Sequence, residues 1–174
     1  KCRFFQCVNV GIPPWVSSFY ANKALNVIFE ECHVLDGSRN NCIVFGDSVN
    51  YSIVKKSVFE YSTLGGSILA TYSGNILISE NKFINCEGQI ASFVEKVDHF
   101  ELIDNFFFNC DVRYVSFQSN QFIEVPIIIK GNLFENLAFK NTYYAFVFGS
   151  IYILNDILFE NNIFKNIGGT LVDL

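Results

Sequence analysis

Methionine is absent from the 174 residues, and the chain opens on Lys1. A fragment or processed piece of a longer protein is expected, with any leader, anchor or tail lying outside the sequence. Charge is scarce: Asp, Glu, Lys and Arg make up 17% of the residues, for a net charge of −5. With no basic stripe to neutralise phosphates, nucleic acid is excluded as a main partner. Long hydrophobic runs are missing too, although 51% of the residues are apolar. Asn, Ser, Lys or Glu breaks each run within about 6 residues, whereas a membrane-spanning helix needs roughly 20 apolar residues in succession. Ala and Leu are sparse for a helical repeat, and the short Ile-, Val-, Phe- and Tyr-rich runs favour strands. Only His33 and His99 are histidines, and no Cys-x-x-Cys occurs. Zinc therefore has little to bind. His33 follows Cys32, and successive strand residues face opposite ways, so the two make a poor nucleophilic pair. No Gly-rich phosphate loop is present. The expectation is no catalytic group, no metal and no cofactor.

What is present is repetition. Phe83-Ile84-Asn85-Cys86 recurs as Phe107-Phe108-Asn109-Cys110, Phe134-Glu135-Asn136-Leu137 and Phe164-Lys165-Asn166-Ile167. Earlier, looser copies start at Phe4, Phe29 and Phe59, giving spacings of 25, 30, 24, 24, 27 and 30. A period of that size indicates a solenoid, in which nearly every residue belongs to a short strand packed on its neighbours. In the cleanest unit, Ile76 and Ile78 alternate with Leu77 and Ser79, Ser79-Glu80-Asn81 makes a corner, and Lys82-Phe83-Ile84 is a second short strand. Phe83 and Cys86 both read as interior although three apart, so the backbone must bend near Asn85, a residue type that tolerates the left-handed conformation. Glu87-Gly88 reads as a further turn before a third strand, Gln89 to Val94. Corresponding third strands are expected at 42–45, 67–71, 113–117, 143–148 and 170–174.

Laid in register, the copies form columns. Val54, Ile78, Leu102, Ile129 and Phe159 stand five residues before the repeat Phe, and Ile76, Phe100, Ile127 and Ile157 stand seven before it. Asn81, Asn105, Asn132 and Asn162 stand two before it; Asn85, Asn109, Asn136 and Asn166 stand two after. Carboxamides stacked at a strand spacing of about 4.8 Å can hydrogen-bond along the stack and satisfy the backbone groups left by bends. Cys7, Cys32, Cys86 and Cys110 stand three residues after a repeat Phe, where later copies have Leu137 and Ile167. That equivalence marks an interior apolar slot, so buried thiols are expected in place of half-cystines. Extra residues, Gly11-Ile12-Pro13-Pro14-Trp15, Asp36 to Asn41 and Lys140-Asn141-Thr142, fit surface loops. The predicted fold is all-β: a right-handed parallel β-helix solenoid of about seven coils of 24–30 residues, with Asn and Phe/Cys ladders, in a single domain over 1–174.

The Phe-x-Asn-Cys pieces, Gly65-Gly66-Ser67-Ile68 and Gly168-Gly169-Thr170-Leu171 resemble repeats of right-handed parallel β-helix (pectin-lyase-like) proteins. The style is closest to the polymorphic membrane proteins of chlamydiae and related surface repeats of protists. The resemblance covers nearly the whole chain. It implies a surface passenger used in adhesion. Most copies here are Phe-x-Asn, and only Phe159–Asn162 has the four-residue form of that family.

The same fold hosts pectate lyases and polygalacturonases, which cluster carboxylates with Arg or Lys on one sheet face. Glu80 and Asp104 occupy equivalent corner positions one strand apart, with Asp98 and Glu101 nearby, and form a weak candidate Ca²⁺ or acid/base pair. Two solvated turn acids beside Lys56 and Lys82 is the favoured reading. The adjacent-Asp and Arg-x-Lys arrangements of polygalacturonases, the Arg-rich motifs of pectate lyases and the calcium-binding Gly-Gly-x-Gly-x-Asp repeat are absent. Aromatics that face outward carry more promise. Phe106, Phe108, Tyr114, Tyr143 and Tyr144 form the candidate binding surface, with Tyr152 and Trp15 beside them. Such a strip suits a protein or sugar partner, while a chain this rich in Phe and Tyr also exposes some by necessity. Asn50-Tyr51-Ser52 is a glycosylation sequon.

These observations point to a non-enzymatic structural or adhesion scaffold in a cell-surface or extracellular assembly. Its expected partners are proteins, or further copies through the coil ends. The alternatives are a carbohydrate-binding or polysaccharide-cleaving β-helix, and a structural component of an intracellular complex.

Overall fold

In a computed structural model of the chain, every strand pairing among the described residues is parallel. The structure describes residues 3–5, 19–21, 25–35, 43–45, 49–61, 67–71, 74–93, 98–117, 121–123, 127–138, 144–147, 151–153, 156–168 and 170–173. Side chains are described at 25–35, 43, 49–61, 74–87, 98–111, 127–137 and 156–168. A first sheet takes β1 (Arg3–Phe5), β4 (His33–Leu35), β7 (Val58–Glu60), β10 (Lys82–Ile84), β13 (Phe106–Phe108), β17 (Leu133–Ala138) and β21 (Ile163–Gly168), in that spatial order. A second takes β2 (Phe19–Ala21), β5 (Ile43–Phe45), β8 (Ser67–Thr71), β11 (Glu87–Phe93), β14 (Asp111–Phe117), β18 (Tyr144–Val147) and β22 (Thr170–Asp173). A third takes β3 (Asn26–Glu30), β6 (Tyr51–Lys55), β9 (Asn75–Ser79), β12 (His99–Ile103), β16 (Ile127–Lys130) and β20 (Ile157–Glu160). A fourth, small sheet pairs β15 (Gln121–Ile123) with β19 (Ile151–Ile153). From β3 onward the chain visits the third, first and second sheets in turn and then starts again one strand higher, passing through the fourth sheet at β15 and β19 before its last two rounds. No helix occurs among the described residues. This regular stacking of parallel strands is compatible with a parallel β-helix.

The interior is built from columns. Phe59, Phe83, Phe107 and Phe134 are almost fully buried, and their rings stack with Phe164 at centroid separations of 5.0, 4.8, 4.8 and 4.7 Å. Those separations match the spacing between paired strands, so backbone pairing and ring stacking reinforce each other. The third sheet points two columns inward: Ile76, Phe100 and Ile127, and Val54, Ile78, Leu102 and Ile129.

Among the described residues, left-handed backbone marks two corners of the repeat. Glu31, Lys56, Glu80, Asp104, Gly131 and Asn161 have φ between 50° and 68° where the third sheet passes into the first. Tyr61, Asn85, Asn109, Asn136 and Asn166 have φ between 51° and 55° where the first passes into the second. The bend at Asn85 therefore lies where Phe83 and Cys86 require it. The expected turn at Glu87-Gly88 does not exist: β11 runs unbroken from Glu87, because the left-handed residue just before it has already reversed the facing of the side chains.

The two Asn columns differ. Asn81, Asn105 and Asn132 are 1%, 2% and 0% exposed and form a buried ladder. Each Oδ1 accepts from the preceding rung: Asn105 from Asn81 N and Nδ2 (both 3.0 Å), Asn132 from Asn105 N (2.9 Å) and Nδ2 (3.0 Å), and Asn162 from Asn132 N (3.0 Å) and Nδ2 (2.9 Å). Each Nδ2 also reaches back to a carbonyl of the third sheet: Asn81 to Val54, Asn105 to Ile78, Asn132 to Leu102 and Asn162 to Ile129. The second column lies nearer the surface, with Asn109 Nδ2 donating to Asn85 Oδ1 (2.6 Å) and Asn166 Nδ2 to Asn136 Oδ1 (2.9 Å).

One register expectation is corrected. Phe29 does not occupy the repeat-Phe column: it pairs with Val54, and Val34 pairs with Phe59. Cys32 then falls in the buried Asn column, where its N donates to Ser57 Oγ (3.1 Å) and Ser57 N donates to Asn81 Oδ1 (2.9 Å). The Phe29 ring still stacks on Phe59, at 6.1 Å and 23°. Cys86 and Cys110 do occupy the predicted interior slot in register with Leu137. Their thiols donate to Phe59 O and Phe83 O, each at 3.4 Å. Cys32, Cys86 and Cys110 are buried thiols outside any disulfide. Cys2, Cys7 and Cys42 lie outside the described residues, as do the insertions at 11–15, 36–41 and 140–142.

Candidate functional site

The left-handed corner before β13 and the bend after it fix which of its side chains face out. Phe107 points inward and is fully buried, so Phe106 and Phe108 project from the outer face of the first sheet, both half-buried. Their rings lie 6.0 Å apart at 26°. Strand register sets their neighbours. Phe106 stands in line with Val58, Lys82, Leu133 and Ile163, and Phe108 with Glu60, Ile84, Glu135 and Lys165. The result is an apolar centre of Ile84, Phe106, Phe108 and Leu133, rimmed by charges. Toward the lower edge, His33 Nε2 and Glu60 Oε2 are 2.7 Å apart on the same face.

Of the other predicted aromatics, Tyr114 belongs to β14 and Tyr144 to β18, so both lie on the second sheet, not on the face that carries Phe106 and Phe108. Their side chains, and the whole of Tyr143 and Trp15, lie outside the described residues, as does the Tyr152 side chain on β19. Sequence reasoning gathered the aromatics by proximity along the chain; the bend at Asn109 separates Phe108 from Tyr114 by turning the chain onto another sheet. The flanking Ile84 and Leu133 went unnoticed. Their signal was a half-exposed aliphatic one residue away from a buried Phe, visible once the register is known.

Glu80 and Asp104 do occupy equivalent corners in consecutive rungs, with φ of 55° and 54°. Both are exposed, and their backbone N–H groups donate to Ile103 O and Lys130 O. No group of three or more His, Cys, Asp and Glu suited to a metal exists among the described residues. Lys130 has Glu160 Oε2 at 2.8 Å, and that contact, with a smaller contribution from Asp104, holds its ammonium above the usual lysine range. His99 Nε2 lies 2.7 Å from Glu101 Oε1 on the outer face of the third sheet. Asn50 is exposed at the corner leading into β6, while Ser52 of the same sequon is buried.

No family model, no curated protein and no solved structure matches this chain.

Proposed function

We propose that the chain is a right-handed parallel β-helix of about seven coils that serves as a non-enzymatic scaffold. It presents the face around Phe106 and Phe108 to a protein partner in a cell-surface or extracellular assembly, in the manner of polymorphic-membrane-protein-type surface repeats. The observation that carries the reading is the contiguous apolar centre of Ile84, Phe106, Phe108 and Leu133 on the outside of a rigid sheet. A flat, preorganised face with large aromatics and a charged rim has the anatomy of a protein-binding patch. The exposed corner acids Glu80 and Asp104 favour no chemistry over simple solvation.

Beads coated with the chain should adhere to cell monolayers or immobilised matrix proteins, and Phe106→Ser with Phe108→Ser should abolish most of that adhesion. Equal adhesion by both proteins, or release of unsaturated or reducing ends from a polysaccharide, would sink the reading. A second reading, carbohydrate binding, is favoured by the same ring pair, since two rings 6.0 Å apart suit stacking against successive sugars. A glycan array on which only the wild type binds would select it. A structural role inside an intracellular complex gains ground if Cys2, Cys7 and Cys42 prove reduced alongside the three buried thiols.

A further inference from the structure

We propose that Asn50 carries an N-linked glycan, attached before β6 docks between β3 and β9; the inference rests on the surface or extracellular reading above. Asn50-Tyr51-Ser52 is the only Asn-x-Ser/Thr sequence in the chain. Asn50 is exposed and its carboxamide has no partner among the described residues, while its main-chain carbonyl is anchored by Asn75 N (2.8 Å) and Asn75 Nδ2 (3.1 Å). The acceptor side chain is thus presented from a fixed backbone. The equivalent corner one rung up is Gly74, which places no side chain beside it. Leu25 and Tyr51, 69% and 52% exposed, flank it on the other side, and the first sugars of a glycan would cover them.

Ser52 supplies the independent observation. It lies in the inward column of Ile76, Phe100 and Ile127, is 1% exposed, and its Oγ has no hydrogen-bond partner among the described residues. Buried Ser57 shows what a structural serine does here: its Oγ accepts from Cys32 N and donates to Lys55 O. An unpaired buried hydroxyl weakens a fold. The Ser52 hydroxyl is useful only to an enzyme that reads Asn-x-Ser as an extended chain. The reaction is a group transfer. Asn50 Nδ2 attacks the anomeric carbon of a lipid-pyrophosphate-linked oligosaccharide, the C–O bond to the pyrophosphate breaks, the lipid pyrophosphate leaves with the electron pair, and one carboxamide proton passes to solvent or base. Once β6 is paired on both sides, the hydroxyl is out of reach, so transfer precedes folding.

The test translates the chain behind a cleavable signal peptide into microsomes. Protease-protected wild type should show a one-glycan mobility shift removed by peptide-N-glycosidase. Asn50→Gln and Ser52→Ala should show none, and Ser52→Thr should keep it. A protected chain without the shift, or a shift that survives in Asn50→Gln, overturns the site. Native protein found only in the cytosol overturns the proposal through its compartment instead. Chain folded first and then given transferase and lipid-linked donor should stay unmodified while unfolded chain is modified; equal modification overturns the timing. Unglycosylated Ser52→Ala should melt about 2–4 °C above unglycosylated Asn50→Gln. A lower melting point would show that the hydroxyl serves the fold.

Discussion

The carboxylate of Asp104 occupies the space in which a side chain on Gly131 would begin. Gly131 also has a φ of +68°, in the column where Glu31, Lys56, Glu80, Asp104 and Asn161 are all left-handed. Two constraints therefore meet at Gly131: the left-handed φ, and the Asp104 carboxylate standing where a Cβ would be. Gly131→Ala should cost about 1–2 kcal/mol in urea unfolding. Part of that cost should vanish in an Asp104→Ala background, a non-additivity expected of touching residues, while the strain of a left-handed alanine remains. Gly74→Ala should be worse and beyond such rescue, since its Cβ would meet the backbone oxygens of Val49 and Asn50.

The two Asn columns should respond differently to truncation. Asn105→Ala removes the acceptor for Asn81 N and Nδ2 and the donor to Ile78 O, all buried, so a loss of about 3 kcal/mol or more is expected. Asn109→Ala, at an exposed left-handed position, should cost about 1 kcal/mol, and Asn109→Gly should be close to neutral. Asn105→Asp adds a pH signature. Burial should raise its folded carboxyl pKa above the unfolded value of about 3.9, so the native state binds the extra proton. The penalty is then full above the folded pKa and shrinks as pH falls through it. Equal penalties at pH 4 and pH 8 would contradict a buried ladder.

Phe107→Ala should cost about 3–5 kcal/mol, because it opens a gap between two stacked rings. Val34→Phe should also destabilise, by about 1–3 kcal/mol, because Val34 is buried in the column of Phe59 and Phe29 already stacks on that ring. The exchange Phe29→Val with Val34→Phe should recover most of the loss. Failure of the exchange would count against the register Val34↔Phe59.

Cys110→Leu should be tolerated within about 1.5 kcal/mol, since the next rung has Leu137 in that column. Alkylation of Cys32, Cys86 and Cys110 should be slow in the native protein and complete in denaturant; rapid native labelling would contradict their burial.

Much of the fold was legible because its signals are periodic. Phe and Asn recur together from Phe83 onward, and period-two alternation around Ile76 and Ile78 marks the strand before them. Legibility failed at Phe29, where Phe-x-x-Cys imitates the repeat while Val34 holds the true Phe column and Cys32 the Asn column. It failed at Gly88, because glycine reads as a turn even inside a strand. β15 and β19 were missed since they lie in stretches counted only as repeat length. The candidate site was half legible: that Phe106 and Phe108 flank an inward Phe107 follows from alternation, but which aromatics share a face depends on the bend at Asn109.

The buried ladder has a direction. Ser57 N is satisfied by Asn81, Asn81 N by Asn105, Asn105 N by Asn132 and Asn132 N by Asn162. Each corner thus waits for a side chain that the ribosome delivers 24 to 30 residues later. A chain that ended after any of these corners would leave that corner's N–H open, and the next repeat closes it while presenting one of its own.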